Sequence, residues 1–237
     1  MYIYGKNVAK ESLRSDDEIL KVYLSRNFHD EEVFQLIRKR KIKTTFLDSQ
    51  VMDKKVDGHH QGIILEISEV KTYSLDNFLE SIHDKDRVLI VMLDHLEDPH
   101  NFGAIIRTAE ALGVDAIIIP NDRSVTVNST VVKISAGAIS YMKIVRVANL
   151  GSAISKLKKN DFWIVGTDMD GEDYSKINYP ERTCLIIGNE GKGISNIIRK
   201  NCDFIASIPM SGKINSLNAS VSCGIVLSEI VLSKNKV

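Results

Sequence analysis

The sequence has few cysteines and lacks a long apolar run. Three of its 237 residues are cysteine, and they are too few and too scattered for a disulfide framework or a zinc site. No apolar run reaches the roughly 18 residues of a membrane span, and the first residues lack the basic start and apolar core of a secretory signal. We therefore expect a reduced, cytoplasmic protein that does not enter a membrane.

The sequence also has no excess of charge of either sign. Lys and Arg together number 31, Asp and Glu together number 31, and the net charge is zero. This balance argues against a protein coated in positive charge, but a local nucleic-acid surface depends only on where the charges lie. The basic cluster RKRKIK at 38–43 is either a solvated helix end or a contact for RNA phosphates.

Several familiar motifs are missing. The glycine-rich stretch GNEGKGIS does not match a P-loop, because two residues rather than four separate Gly188 from Gly191. No G-x-G-x-x-G follows a first strand. The stretch is therefore either a glycine-rich turn before a helix or a loop in which Glu190 meets a ligand. We expect no metal, because ligand spacing is absent around the candidate histidines His59, His60, His95 and His100.

Strand-like and helix-like segments alternate from Glu18 onward, and this pattern predicts an α/β protein. A first series ends near residue 68, and a second begins at Arg87 with the continuous apolar run RVLIVMLD, typical of a strand covered on both faces. We expect a small α/β domain at 1–68, a linker at 69–85, and a mostly parallel sheet with helices on both faces at 86–237.

Polar and glycine residues follow four strands of the second series, in LDHLEDPHNFG, GTDMDG, GNEGKGIS and IPMSGKINSLN. Ligands of such sheets bind beyond the carboxyl ends of the strands, so these four loops predict a site. Asn101 opens a helix, where its side chain could cap free backbone N–H groups. Arg107, six residues on, is either a surface arginine or a contact for an anion.

The last helix is apolar on more than one stripe, from Val221 to Leu232. Such a helix must be buried on several sides, either within its own subunit or in a dimer. The NSLNAS stretch before it is either a capped helix start or part of a site.

Three elements taken together resemble the signature of the SpoU (TrmH-like) RNA 2′-O-methyltransferases of the SPOUT class. They are NFGAIIRTAEALG, LIIGNEGKGIS and IPMSGKINSLNASVSCGIVLSE, in the family's order and spacing. Ala219 and Cys223 depart mildly from residues that the family often has there. More weakly, IYGKNVAKESL and GHHQGIILEI resemble the L30e-like substrate-binding domain of the family's rRNA branch.

The resemblance implies S-adenosylmethionine as methyl donor and a ribose 2′-hydroxyl as acceptor. It also implies a C-terminal domain with a deep trefoil knot, and a homodimer with its site at the subunit interface. The expected substrate is a guanosine of 23S rRNA, with neither DNA nor membrane as partner. The alternatives are a tRNA ribose methyltransferase, a resistance-type rRNA adenosine methyltransferase, and an RNA-binding protein whose catalytic domain has decayed.

The resemblance also assigns residues. In the family, the arginine that matches Arg107 is proposed as the base, but an arginine is a poor base because its pKa is above about 12. We therefore expect Arg107 to position the phosphate and hydroxyl and to relay the proton, and Asn101 to orient Arg107 or the ribose. The expected catalytic set is Asn101, Arg107, Glu190, Ser216 and Asn218. The expected cofactor contacts are Thr167, Gly188, Ile208, Met210 and Leu217.

Overall fold

The computed structural model describes residues 1–213 and 216–234, so Ile214 and Asn215 of the SGKINSLNAS stretch lie outside the described residues. In chain order the elements are β1 (Tyr2–Tyr4), α1 (Lys6–Arg14), β2 (Ile19–Ser25), α2 (Glu31–Arg40), β3 (Thr44–Leu47), α3 (Ser49–Asp53), β4 (Ile63–Ile67), β5 (Thr72–Tyr73), α4 (Leu75–Ser81), β6 (Val88–Leu93), α5 (Pro99–Ala111), β7 (Ala116–Pro120), α6 (Ser129–Ile134), a 3₁₀ turn (Ala138–Ser140), β8 (Ile144–Val147), α7 (Leu150–Lys158), β9 (Trp163–Asp173), β10 (Arg182–Ile187), α8 (Asn196–Arg199), β11 (Phe204–Ser207) and α9 (Ala219–Lys234).

The chain forms two compact units. The first holds Met1–Val70 and also Val127–Tyr141, and the second holds Lys71–Thr126 and the described residues from Met142 onward. The N-terminal stretch of the first unit ends at Val70, close to the expected domain boundary at residue 68. The segment expected to be a linker, 69–85, contributes β5 and α4 to the second unit.

The first unit is built on a four-stranded mixed sheet of order β1-β4-β2-β3. β4 pairs antiparallel with β1 and β2, whereas β2 and β3 are parallel. Helix α2 is capped by Asp30, whose side chain accepts a hydrogen bond from the Val33 N–H at 3.2 Å. At its other end, Arg40 donates to the carbonyls of Ser12 and Ser15 at 3.0 Å, which ties α2 to the end of α1.

The segment 127–141 packs into this first unit, although the sequence pattern assigns it to the second. The Tyr141 hydroxyl donates to a Glu11 carboxylate oxygen at 2.8 Å, and the Ser140 hydroxyl donates to Asp17 at 2.6 Å. Gly137 has φ +90°, and a Cβ there would lie 2.6 Å from Glu11 Cβ. Burial and the nearby Glu11 carboxylate raise the pKa of Tyr141 to about 12.

The second unit contains a seven-stranded sheet of order β11-β9-β10-β6-β7-β8-β5. Every pairing in this sheet is parallel, which confirms the predicted parallel α/β fold. All six residues of β6 are buried, as its continuous apolar run predicts for a central strand. The trefoil knot and the likeness of the first unit to L30e stay predictions. None of the described helices combines the length and the apolar character needed to cross a membrane.

Candidate functional site

A cavity of about 390 Å³ is lined by residues of β9, β10 and β11 and of the loops that follow β10 and β11. Three of the four stretches singled out in the sequence contribute to its wall; two of them are loops, whereas GTDMDG, expected to be a loop, lies within β9. Seven of the ten predicted site residues line it: Thr167, Gly188, Glu190, Ile208, Met210, Ser216 and Leu217. Thr167 is held in place because its hydroxyl donates to the Ile186 carbonyl on β10 at 3.1 Å.

Asn101 links this cavity to α5. The helix is capped by Asp98, which accepts from the His100 N–H at 2.9 Å, with Pro99 as the first helical residue. Asn101 therefore lies within the first turn, and the expectation that it caps the helix is wrong. Its buried side chain instead donates from Nδ2 to Glu190 Oε1 at 2.9 Å.

Asn218 completes the arrangement from the other side. Its Nδ2 donates to Asn101 Oδ1 at 2.9 Å. Its own Oδ1 accepts from the Ser220 N–H at 2.9 Å and from the Ser220 hydroxyl at 2.6 Å. Asn218 is thus both a cap for the first turn of α9 and a member of the Asn218–Asn101–Glu190 chain. The reading of NSLNAS as a capped helix start is confirmed for this residue, and its place in a site stays a prediction.

The glycine-rich loop after β10 closes on itself. Asn189 and Gly193 exchange backbone hydrogen bonds of 3.0 and 2.9 Å. A Cβ at Gly188 would lie 2.2 Å from the Gly193 carbonyl carbon and 2.4 Å from the Ile194 nitrogen. Glycine is therefore required at 188 by the close approach of two parts of the same loop. A Cβ at Gly191 would meet its nearest atom, Asn189 Oδ1, at 3.7 Å.

The structure does not bring Arg107 into contact with the hydrogen-bonded chain Asn218–Asn101–Glu190. Arg107 lies exposed on α5 and does not line the cavity, and its side chain has no hydrogen bond or ion pair to any described residue. Its neighbours on the helix, Ala104 and Thr108, line a separate groove of about 690 Å³ between α5 and α9.

Helix α9 is apolar both on its buried side and where it lines this groove. One part of the helix is buried within its own chain, and burial raises the pKa of the Cys223 thiol to about 12. Val221 and Leu232, which line the groove, stay 48% and 53% exposed. Burial within its own subunit is therefore confirmed for part of the helix, whereas burial of the exposed apolar strip in a dimer stays a prediction.

Asp168 lines the cavity, but the sequence analysis did not name it as a site residue. Its carboxylate forms an ion pair with Arg199 on α8, and the same guanidinium donates to Asp170 at 2.7 Å. The pKa of Arg199 is raised by these partners, first by the bond to Asp170. The stretch GTDMDG was singled out as a loop but lies within β9, and nothing in its local pattern pairs it with an arginine on a later helix. Among the described residues, no cluster of three or more His, Cys, Asp or Glu side chains could hold a metal ion.

Comparison with known families and proteins gives a consistent result. The SpoU rRNA Methylase family matches residues 88–228, and the module described as RNA 2′-O ribose methyltransferase substrate binding matches residues 2–73. The putative TrmH family tRNA/rRNA methyltransferase YacO of Bacillus subtilis (strain 168) is 36% identical, with 100% of this chain and 97% of that protein covered. A putative TrmH family tRNA/rRNA methyltransferase of Staphylococcus aureus (strain COL) is 35% identical, covering 99% and 97%.

Solved structures share the fold. The SpoU methyltransferase AviRb from Streptomyces viridochromogenes, in complex with the cofactor AdoMet, matches with a TM-score of 0.86 at 24% identity, covering 100% of this chain and 91% of that one. The A. aeolicus TrmH/SpoU tRNA modifying enzyme matches at 30% identity with a TM-score of 0.58, covering 68% and 83%. Since the two family modules follow one another along nearly the whole sequence, the chain belongs to the SpoU rRNA methylase family and is an RNA ribose methyltransferase.

Proposed function

We propose that this enzyme transfers a methyl group from S-adenosylmethionine to the ribose 2′-hydroxyl of a guanosine in 23S rRNA, in the cytoplasm. One observation carries the proposal. The Asn218–Asn101–Glu190 chain joins three motifs that are far apart in sequence, and its Glu190 end lies in the wall of the 390 Å³ cavity. Group transfer requires a cavity that holds the ligand beside polar side chains whose positions are fixed by hydrogen bonds.

The cavity residues fit the cofactor. Pockets for ligands of this size span about 300 to 1,000 Å³, with apolar walls and a few placed polar groups. Ile208, Met210 and Leu217 supply apolar surface, and the carboxylate of Glu190 supplies negative charge. When bound, S-adenosylmethionine supplies an electrophilic methyl group on a positively charged sulfonium, and a nearby carboxylate favours binding of that cation. AviRb, which shares the fold, binds AdoMet.

The chain's own residues then have to orient a weak nucleophile and take its proton. In our proposal Asn101 holds Glu190 in place, because its amide nitrogen donates to Oε1 while its amide oxygen is itself fixed by Asn218. The second oxygen of Glu190 is then available to accept a hydrogen bond from substrate, and Ser216 adds a polar contact at the cavity wall.

Arg107 has a different role in this scheme. An arginine side chain stays protonated in proteins, so we assign Arg107 to positioning the phosphate and hydroxyl of the RNA rather than to removing the proton. Its exposed position on α5, beside the residues that line the α5–α9 groove, suits contact with a partner outside its own subunit.

We further propose that the groove is filled by a second copy of the chain. The exposed Val221 and Leu232 and the partly buried Ile225 line it together with Tyr174. Apolar surface of this kind along one helix is typical of an interface. The homodimer places Arg107 next to the subunit boundary and builds each site at that boundary.

The first unit is assigned to RNA binding. Arg40 is occupied in tying α2 to α1, but the rest of the basic cluster, Arg38, Lys39, Lys41 and Lys43, is exposed. These four cations are free to neutralise RNA phosphates. The second unit holds the cofactor and the catalytic residues.

The proposal is tested by incubating the enzyme with labelled S-adenosylmethionine and, separately, with unmodified 23S rRNA and tRNA pools. We expect label in 23S rRNA, and mapping of 2′-O-methyl positions in that RNA should give a single guanosine. Label in tRNA alone, which the names of the relatives also allow, would move the substrate to tRNA. Label on an adenosine would indicate the resistance-type reaction, and no transfer to either pool would leave RNA binding without catalysis.

A further inference from the structure

A second cleft, of about 420 Å³, lies beside the cofactor cavity and shares Asn189, Lys192 and Gly193 with it. The rest of its wall includes Asp94, His95 and Glu97 from the loop after β6, and Arg123 from the loop after β7. The motifs used above leave His95, Arg123 and Lys192 without a role, although all three side chains border this cleft.

His95 is fixed with one ring nitrogen engaged. The buried Asp94 carboxylate lies 2.6 Å from His95 Nδ1 and also accepts from the Ser195 N–H at 2.7 Å. The His95 carbonyl accepts from Asn189 Nδ2 at 2.9 Å, which binds the residue to the glycine-rich loop. Because Nδ1 faces Asp94, the ring's other nitrogen, Nε2, is left for a ligand.

Arg123 is presented by an anchored loop. The Val125 N–H and the Ser124 hydroxyl donate to the Leu96 carbonyl at 2.8 and 3.3 Å. Arg123 itself is exposed and has no hydrogen bond or ion pair to any described residue. His95 and Arg123 have φ of +59° and +50°, which is uncommon for residues other than glycine and clusters at functional sites.

The charges of the cleft favour an anion. The Asp94 carboxylate is buried and bonded to His95 and Ser195, so the exposed charged groups of the wall are one carboxylate, Glu97, and two cations, Arg123 and Lys192. Arginine and lysine beside a polar imidazole are the groups that recognise phosphate. Lys192 also lines the cofactor cavity, so an anion held here lies beside that cavity.

We propose that this cleft binds a phosphate of the RNA substrate, in the linkage that flanks the methylated nucleotide. The inference rests on the proposed RNA substrate and adds Arg123 and Lys192 as its phosphate contacts. Such phosphate contacts carry no sequence information, but they fix the position of the RNA strand relative to the Asn218–Asn101–Glu190 chain.

The test measures RNA binding rather than methyl transfer. Binding of a short, mixed-sequence, fluorescent single-stranded RNA to the full chain is followed by anisotropy at several KCl concentrations, for the wild type, Arg123→Ala and Lys192→Ala. Each lost contact should reduce the slope of log K against log salt by about 0.7 to 0.9, equivalent to about five- to eightfold weaker binding at 0.1 M salt.

Two variants serve as controls. Lys200→Ala removes an exposed lysine that does not line the cleft and should leave the slope at its wild-type value. Arg123→Lys keeps the charge and should restore most of the slope. Arg123→Ala should also leave the calorimetric Kd for S-adenosylmethionine unchanged, because Arg123 does not line the cofactor cavity.

An Arg123→Ala slope equal to that of the wild type would overturn the phosphate site. So would a loss of slope that Lys200→Ala reproduces. These outcomes are separate from failure of the proposed function: a wild-type enzyme that binds RNA with the expected loss in Arg123→Ala, yet methylates neither RNA pool, keeps the phosphate site and refutes the methyl transfer.

Discussion

Replacement of Gly188 by alanine tests the account of the glycine-rich loop. The added Cβ would lie 2.2 Å from the carbonyl carbon of Gly193 and 2.4 Å from the nitrogen of Ile194. Both atoms belong to the backbone, so no side chain can rotate away to make room. The loop has to open, and the hydrogen bonds between Asn189 and Gly193 are the first to be strained.

The expected cost can be placed within limits. Overpacking a tight site costs typically about 1 to 3 kcal/mol. In a protein of this size, each kcal/mol lowers Tm by about 2 to 4 °C, so Gly188→Ala should melt about 2 to 12 °C below the wild type. Because the displaced loop also forms a wall of the cavity, the Kd for S-adenosylmethionine should rise in the same variant.

Gly191→Ala is the matched control, with the same substitution three residues away. Its Cβ would meet Asn189 Oδ1 at 3.7 Å, an ordinary van der Waals contact. A change at such a position is expected to stay within about 0.5 kcal/mol. Thermal unfolding followed by circular dichroism compares the two variants. If Gly188→Ala has the same Tm as Gly191→Ala, the close approach within the loop does not constrain residue 188, and the reasoning fails.

Three further outcomes follow. Arg107→Ala should abolish methyl transfer while leaving the calorimetric Kd for S-adenosylmethionine unchanged, because Arg107 does not line the cavity; loss of cofactor binding would make its role structural. Leu232→Glu should convert the dimer to monomer by light scattering, whereas Lys200→Glu should not; a Leu232→Glu dimer would remove α9 from the interface. Deleting residues 1–70 should leave a chain that binds a hydrophobic dye, because the segment 127–141 loses the surface on which it packs; a variant that does not bind the dye would contradict the division into units.

The sequence predicted best those elements that are buried in the same way along their whole length. β6 is predicted by an unbroken apolar run because both faces of a central parallel strand are covered. Helix α5 was expected to begin near Asn101, and it begins at Pro99 after the Asp98 cap. Both signals for that earlier start, a capping aspartate and a proline at the first helical position, were present in the sequence.

Elements without a local signal were missed. β1 has three residues and is held by pairing with β4, more than sixty residues away. Helix α1 begins after Gly5 without a side-chain cap. The segment 127–141 reads as one more helix of the alternating series, and nothing in its periodicity shows that it returns to the first unit. Contacts between distant parts of a chain decide each of these cases.

The site was predicted through its motifs, and the contacts within it could not be predicted from spacing. Asn101 is separated by 89 residues from Glu190 and by 117 from Asn218, and hydrogen bonds across such separations have no periodic signature. The pairing of Asp168 with Arg199 is of the same kind. Motif order indicated which residues to expect at the site, whereas the fold determines which of them touch.

Asn218 connects the proposed dimer surface to the catalytic chain. Its Oδ1 holds the first turn of α9, three residues before Val221 on the open groove, and its Nδ2 holds Asn101. In the proposed homodimer, a second copy packed on the groove would restrain that turn, and with it the amide that fixes Asn101 against Glu190. Amide hydrogen bonds are directional, so a small shift of the helix start would change the position of the Glu190 carboxylate. We therefore propose that assembly and the geometry of the Asn218–Asn101–Glu190 chain are coupled through one asparagine side chain.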